Sequence, residues 1–194
     1  MKGLTVGYAM CGSFCTMADS LKQLEHLCDL GADVLPIFSE IVYSADPRFT
    51  EHEKLKEQVE ALTGKSIVHT IVQAEPIGPK GLLDLLIVAP YTGNTIAKIA
   101  AGMTDSCVAM AVKAHLRNNR PVVLGIATND ALSASARNIG TLLNTRNIYF
   151  VPFGQDNAYK KPTSAICDFS KLIDTAIEAL NGKQLQPLLL TKNA

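Results

Sequence analysis

Leu85 to Ser106 reads LLIVAPYTGNTIAKIAAGMTDS. Leu85 to Ala89 is continuously apolar, which fits a strand covered on both faces, and Pro90 is expected to stop it. Six residues, Pro-Tyr-Thr-Gly-Asn-Thr at 90–95, separate that run from apolar residues at helical spacing. One capping residue would have opened such a helix. Asn94 and Thr95 together offer donors and acceptors able to hold a phosphate or read a planar heterocycle. The stretch predicts a buried strand, a ligand-facing loop, and two helices over 94–101 and 105–117.

The same alternation extends in both directions. Upstream, 4–9 is a short apolar run, and Phe14, Met17, Ala18, Leu21, Leu24 and Cys28 recur at helical spacing as far as Gly31. Residues 34–38 are the next strand candidate. Asp46-Pro47 marks a turn, and Thr50 with Glu53 reads as a capping box that opens a helix burying Leu55, Val59 and Leu62. Residues 67–72 are a further short strand candidate. Downstream, 121–126 and 148–151 read as strands on either side of a helical stripe of Leu132, Ala136, Ile139 and Leu143. A last helix carries Phe169, Leu172, Ile173, Ala176, Ile177 and Leu180. The order predicts an α/β chain with a Rossmann-like three-layer fold, a mostly parallel sheet with helices on both faces. We read 1–194 as one domain, with an irregular segment at 152–168 before the C-terminal helix.

The composition narrows the function classes. Of 194 residues, 47% are hydrophobic and 19% charged, enough for a sizeable core. Eighteen basic residues balance eighteen acidic ones, so no net field attracts a polyanion and a nucleic-acid partner is not expected. The most apolar stretch, 82–91, contains Asp84 and is too short to span a membrane. Gly3, Gly7 and Gly12 interrupt the N-terminal apolar run, which reads as a strand rather than a signal peptide, so a cytoplasmic chain is expected. The five cysteines, Cys11, Cys15, Cys28, Cys107 and Cys167, form no CxxC pair, so no zinc or thioredoxin-like site is expected. Cys28, Cys107 and Cys167 read as small core residues.

In open α/β sheets, ligands bind beyond the carboxyl ends of the strands. Three loops besides 90–95 therefore matter. After the first strand, Gly12 permits close backbone approach, and Ser13 stands where a helix begins, as a phosphate ligand or as a plain N-cap. The stretch is neither GxGxxG nor a P-loop. After the second strand, Ser39 caps a helix or holds a phosphate, while Glu40 would repel one if it pointed inward. After the strand at 121–126, Thr128 and Asn129 precede Asp130. Asn129 is suited to donate to a carboxylate, and Asp130 reads as a helix cap. No convincing general base emerges: His26 and His115 fall in helices, His52 in a capping turn, and His69 reads as structural. Lys160-Lys161 reads as a solvated pair, or as a contact to a partner or a carboxylate.

The block Ala89-Pro90, Asn94-Thr95, Ile96 to Ala100, then Gly102 and Asp105, resembles the homo-oligomeric flavin-containing cysteine decarboxylase family. That family includes phosphopantothenoylcysteine decarboxylase, peptidyl-cysteine decarboxylases and flavin prenyltransferases. Gly12-Ser13, Ser39 and Ala127-Thr128-Asn129 fall at matching loop positions, so the likeness covers most of 1–153. The resemblance implies FMN, with Gly12, Ser13 and Ser39 at its phosphate and Thr92, Asn94 and Thr95 against the flavin or a neighbouring subunit. It also implies Asn129 and Thr128 facing substrate, and a homo-oligomer, either a trimer or a dodecamer built from trimers.

There are departures. The family's His before the central strand falls here at Glu75-Pro76-Ile77, Pro-Ala-Met-Asn becomes Ile126-Ala127-Thr128-Asn129, and no Cys lies in the loop after it. Cysteine decarboxylation is therefore not expected, and the flavin is either retained, weakly held or lost. The start Gly7-Tyr8-Ala9-Met10-Cys11-Gly12-Ser13-Phe14, the 90–95 loop and 151–162 resemble one branch of the family. Its members take part in oxidising a dihydropyridine dicarboxylate to the pyridine-2,6-dicarboxylate of bacterial spores. They work beside a dehydrogenase-like partner that brings NADP. Three readings follow: an oxidoreductase component working with that partner, a stand-alone FMN-dependent decarboxylase or flavin prenyltransferase, and a non-catalytic component that binds ligand or partner.

Overall fold

The computed structural model describes residues 1–44 and 50–191, the side chains of 50–53 excepted. The Asp46-Pro47 turn and the Thr50-Glu53 capping contacts lie outside the described residues.

β1 (Thr5–Met10) pairs in parallel with β2 (Asp33–Phe38) on one side and with β3 (Leu85–Tyr91) on the other. β3 is buried along its whole length, as its apolar run requires, and pairs in parallel with β4 (Val122–Thr128). Leu86, Ile87, Val88, Val123 and Leu124 form the middle of one continuous core. Each such side chain contributes roughly 1.5–3 kcal/mol by leaving water. α1 (Met17–Asp29) packs on β1, β2 and β3. α2 (Glu40–Tyr43), α3 (Thr50–Thr63) and α4 (Ile71–Ala74) connect β2 to β3. α5 (Gly93–Ala100) and α6 (Cys107–Leu116) connect β3 to β4, with α6 against β2, β3 and β4. α7 (Ala136–Leu143) leads to β5 (Ile148–Phe150), and α8 (Leu172–Leu180) returns to pack on α1. The fold is the expected Rossmann-like α/β arrangement, helices flanking the sheet.

The far edge of β4 is divided. β5 pairs in parallel with Val122 to Leu124. Val151 then donates its N–H to the Leu124 carbonyl, and Pro152 follows with no N–H to continue the ladder. The chain leaves as β6 (Phe153–Asn157) and returns as β7 (Lys161–Cys167). β7 runs antiparallel along the part of β4 that β5 leaves open, pairing Ala127 with Ile166 and Thr128 with Ala165. The order is thus β2-β1-β3-β4-β7-β6, with β5 also on β4.

The irregular segment expected at 152–168 is therefore a hairpin. Its turn is closed by Asn157 Oδ1, which accepts from the N–H groups of Tyr159 and Lys160 at 3.2 and 2.9 Å. Three further expectations are corrected. The strand predicted at 67–72 is only a bridge from Val68 to Ile37. Beyond it Thr70 and Gln73 form a capping box, each side chain accepting from the other's backbone N–H, and α4 begins. Pro90 does not stop β3: the register with β4 shifts between Val88 and Tyr91, so the missing N–H falls in an irregular stretch. Leu132 and Leu143, expected on the buried stripe around α7, are exposed, while Ile139 and Leu142 are buried.

Candidate functional site

The direction of winding reverses between β1 and β3, so their carboxyl ends form the topological switch point at which such sheets bind ligands. Backbone hydrogen bonds tie three strand tips together there. Cys11 N–H donates to Pro90 O at 3.0 Å, and Ser39 N–H donates to Met10 O at 3.0 Å. These bonds fix the 11–13, 39–41 and 92–95 loops around a cavity of about 280 Å³.

Gly12, Ser39, Thr92, Asn94 and Thr95 all line this cavity, joined by Glu40, Lys98 and Ser106. A Cβ on Gly12 would stand 2.8 Å from Ile41 Cγ2, so any larger residue would displace the exposed Ile41 side chain at the cavity. Ser39 precedes α2 but its side chain does not cap it, and its hydroxyl is buried without a hydrogen-bond partner. A buried hydroxyl on a cavity wall with nothing to bond is suited to a ligand oxygen. Ser106 and Thr92 stand at the N-caps of α6 and α5, neither with a side-chain cap bond. Asn94 is exposed at the mouth. Thr95 donates to Cys11 Sγ at 3.4 Å, below the cavity floor. Burial is the main cause that pushes the Cys11 thiol up to about 12, the Thr95 bond opposing and the Glu40 charge adding. Cys11 is an inert core thiol.

Ser13 is not with the others. It lines a smaller cleft of about 70 Å³ on the far side of the 11–13 loop, together with Thr128, Asn129, Asp156, Lys161 and Ser164. Nor does it cap a helix: a single 3-10 turn intervenes before α1, and the Ser13 Oγ accepts from Thr16 Oγ1 at 3.1 Å. The Thr128 hydroxyl is committed to Asp130 Oδ1 at 2.5 Å. Asn129 is held by the hairpin, its carbonyl accepting from Thr163 Oγ1 at 2.7 Å and its Oδ1 from Ser164 Oγ at 3.4 Å. That arrangement leaves the Asn129 amide N–H₂ as its free donor at the cleft. Lys161, paired with Asp156 at 3.0 Å, is the cleft's cation.

Asp130 is not the cap of α7. Its carboxylate gathers the hydroxyls of Thr128 and Ser135 and lies against Gly93, so the loop after β4 packs closely on the start of α5. His69 stacks on Tyr43, ring centroids 3.5 Å apart, and stands outside both clefts. His115 is buried in α6, its Nε2 at 3.0 Å from Pro121 O.

Sequence reasoning did not single out Lys98, Ser106, Asp156 or Ser164, and it read Lys161 only as part of a solvated pair or as a contact to a partner or a carboxylate. Lys98 lay inside the 85–106 stretch, and Ser106 carried an N-cap signal ahead of an apolar helix. Asp156 and Lys161 needed the hairpin, since only the return of β7 brings them onto the tip of β4.

A Rossmann-like sheet with a hydroxyl-lined switch point defines a class, and comparison with known proteins gives it a family. The chain belongs to the family described as Flavoprotein, whose model matches residues 2–181. Within that class it is 46% identical over 190 residues to the B subunit of dipicolinate synthase of Bacillus subtilis (strain 168), covering 98% of this chain and 95% of that protein. The crystal structure of the dipicolinate synthase B subunit from Bacillus halodurans superposes with a TM-score of 0.91 at 45% identity, over 99% of this chain and 98% of that one. The cypemycin decarboxylase CypD shares the fold, with a TM-score of 0.67 at 18% identity over 93% and 97% of the two chains.

Proposed function

We propose that this chain works as the B subunit of a dipicolinate synthase, taking part in the oxidation of dihydrodipicolinate to pyridine-2,6-dicarboxylate during spore formation. One observation carries the reading: the likeness to a protein of that name covers 98% of this chain and 95% of that one at 46% identity. The partner is the dehydrogenase-like A subunit, which brings NADP. Among the described residues no helix is long and apolar enough to cross a membrane, in keeping with work in the mother-cell cytoplasm.

The donor set of the larger cavity fits the phosphate end of FMN. Ser39 Oγ, the N-terminal amides of α5, those of α6 beyond the Cys107 N–H that Glu40 engages, and the hydroxyls of Thr92 and Ser106 would hold it. When bound, FMN would supply a two-electron acceptor. This chain's own part is binding and orientation. Asn129 donates from its amide to a substrate carboxylate, and Lys161, ion-paired with Asp156, lines the same cleft. Aromatising a dihydropyridine removes a hydride and a proton. No described histidine lines either cleft, and the carboxylates that do, Glu40 and Asp156, are bound to Cys107 N–H and Lys161, so we assign proton removal to the dehydrogenase-like partner.

The test is co-expression with the dehydrogenase-like partner and assay of dipicolinate with each of the two proteins omitted in turn. Product should form only with both. Asn129→Ala should raise KM for dihydrodipicolinate about tenfold, as loss of a hydrogen bond to a charged group does. Product formed at full rate by the partner alone would overturn the reading. Sedimentation of the purified chain tests the expected trimer or dodecamer.

A further inference from the structure

One wall of the larger cavity carries the wrong charge for a phosphate. Ser39 Oγ is buried and unpartnered on that wall. The N-terminus of α6, ten residues long, opens beside it. Together they form a seat for an anion. The first amide of α6 is nevertheless already engaged: Glu40 Oε1 accepts from Cys107 N–H at 2.7 Å. Glu40 follows Ser39 directly and lines the same cavity. The cavity's cation, Lys98, is itself tied to Asp105 at 3.1 Å.

We infer that Glu40 is a specificity-determining residue, an internal carboxylate on the phosphate seat that lowers the site's preference for a phosphorylated flavin over an unphosphorylated one. This rests on the reading that the cavity takes FMN. The two anions compete for one donor, and a phosphate dianion beside a carboxylate is opposed by like charge. At contact distance salt does little to screen that opposition. Glutamine at position 40 keeps an acceptor for the Cys107 amide and removes the charge.

The experiment uses the full chain, wild type and Glu40→Gln, titrated with FMN and with riboflavin and followed by flavin fluorescence. A urea unfolding curve for each protein checks that it is folded. Glu40→Gln should bind FMN about tenfold tighter and bind riboflavin within about twofold of wild type. In the wild type, FMN should bind no more than about tenfold tighter than riboflavin. FMN affinity unchanged by Glu40→Gln overturns the role of Glu40 and leaves the FMN reading standing. A wild-type preference for FMN above about a hundredfold does the same without relying on the variant. No saturable FMN binding by either protein overturns both.

Discussion

Gly93→Ala tests whether the ligand-facing loop is built around Asp130. Gly93 opens α5, and a Cβ there would stand 2.7 and 2.8 Å from the two carboxylate oxygens of Asp130 and 2.9 Å from Ser135 Oγ. These distances are shorter than a carbon and an oxygen tolerate, so the carboxylate must move. It is not free to do so, because it accepts from Thr128 Oγ1 at 2.5 Å and from Ser135 Oγ at 3.0 Å. A hydrogen bond to a charged acceptor is worth about 1.5–3 kcal/mol. Alanine returns up to about 1 kcal/mol through its helix propensity. Loss of one bond and weakening of the other leaves a net cost of about 2–3 kcal/mol. For a chain of this length that lowers Tm by roughly 4–12 °C. Urea unfolding of four proteins measures it: wild type, Gly93→Ala, Asp130→Ala and the double variant. With the carboxylate removed, its two contacts are gone and the Ser135 hydroxyl, no longer held by Asp130, can turn away, so Gly93→Ala should cost little further in the Asp130→Ala background. Equal costs in the two backgrounds, or a cost below about 0.5 kcal/mol in the wild type, would refute the argument.

Two further outcomes follow from buried titratable groups. Burial lowers the His115 pKa from 6.5 to about 4, the Pro121 carbonyl opposing. The unfolded chain therefore binds the proton first on acidification, so stability should fall as pH drops from about 6.5 to about 4. His115→Gln should flatten that limb of a urea-midpoint-versus-pH curve, and an unchanged slope would count against it. Cys15 is exposed, whereas Cys11, Cys107 and Cys167 are buried, with burial pushing all three of those thiols up. A thiol reagent at pH 8 should label Cys15 first in the native protein, and Cys15→Ser should remove the fast phase.

The sheet was legible in the sequence because its central strands are buried on both faces, and a run such as Leu85 to Val88 has no other cheap conformation. The hairpin was not, because β6 offers Phe153 alone to the core and otherwise alternates half-buried and exposed positions. Gln155, Asp156 and Asn157 read as loop, and the information that makes them a strand lies in the open edge of β4, far away in sequence. The 67–72 error has a local cause: the β-branched Ile67, Val68 and Ile71 suggest a strand, and two side-chain bonds between Thr70 and Gln73 outweigh that preference. For the site, loops after strands located Gly12, Ser39, Thr92, Asn94 and Thr95 together. Nothing in the spacing told on which side of its loop Ser13 would fall, since one backbone turn after Gly12 decides it.

The 11–13 loop divides the site into two clefts that depend on sequence differently. The larger cavity is set by backbone hydrogen bonds between strand tips, Cys11 to Pro90 and Ser39 to Met10. Such bonds survive most side-chain changes. The persistence of the fold at 18% identity, with a TM-score of 0.67, is what backbone-determined geometry allows. The smaller cleft is set by side chains of the hairpin, with Thr163 and Ser164 holding Asn129, and Asp156 holding Lys161. A few substitutions there would change the polar lining of the cleft without disturbing the sheet. Asn129 fits both conditions: its place comes from the tip of β4, and its orientation comes from β7. Detaching it through Thr163→Val and Ser164→Ala should therefore weaken substrate binding and spare flavin binding, whereas a change at Ser39 should do the reverse.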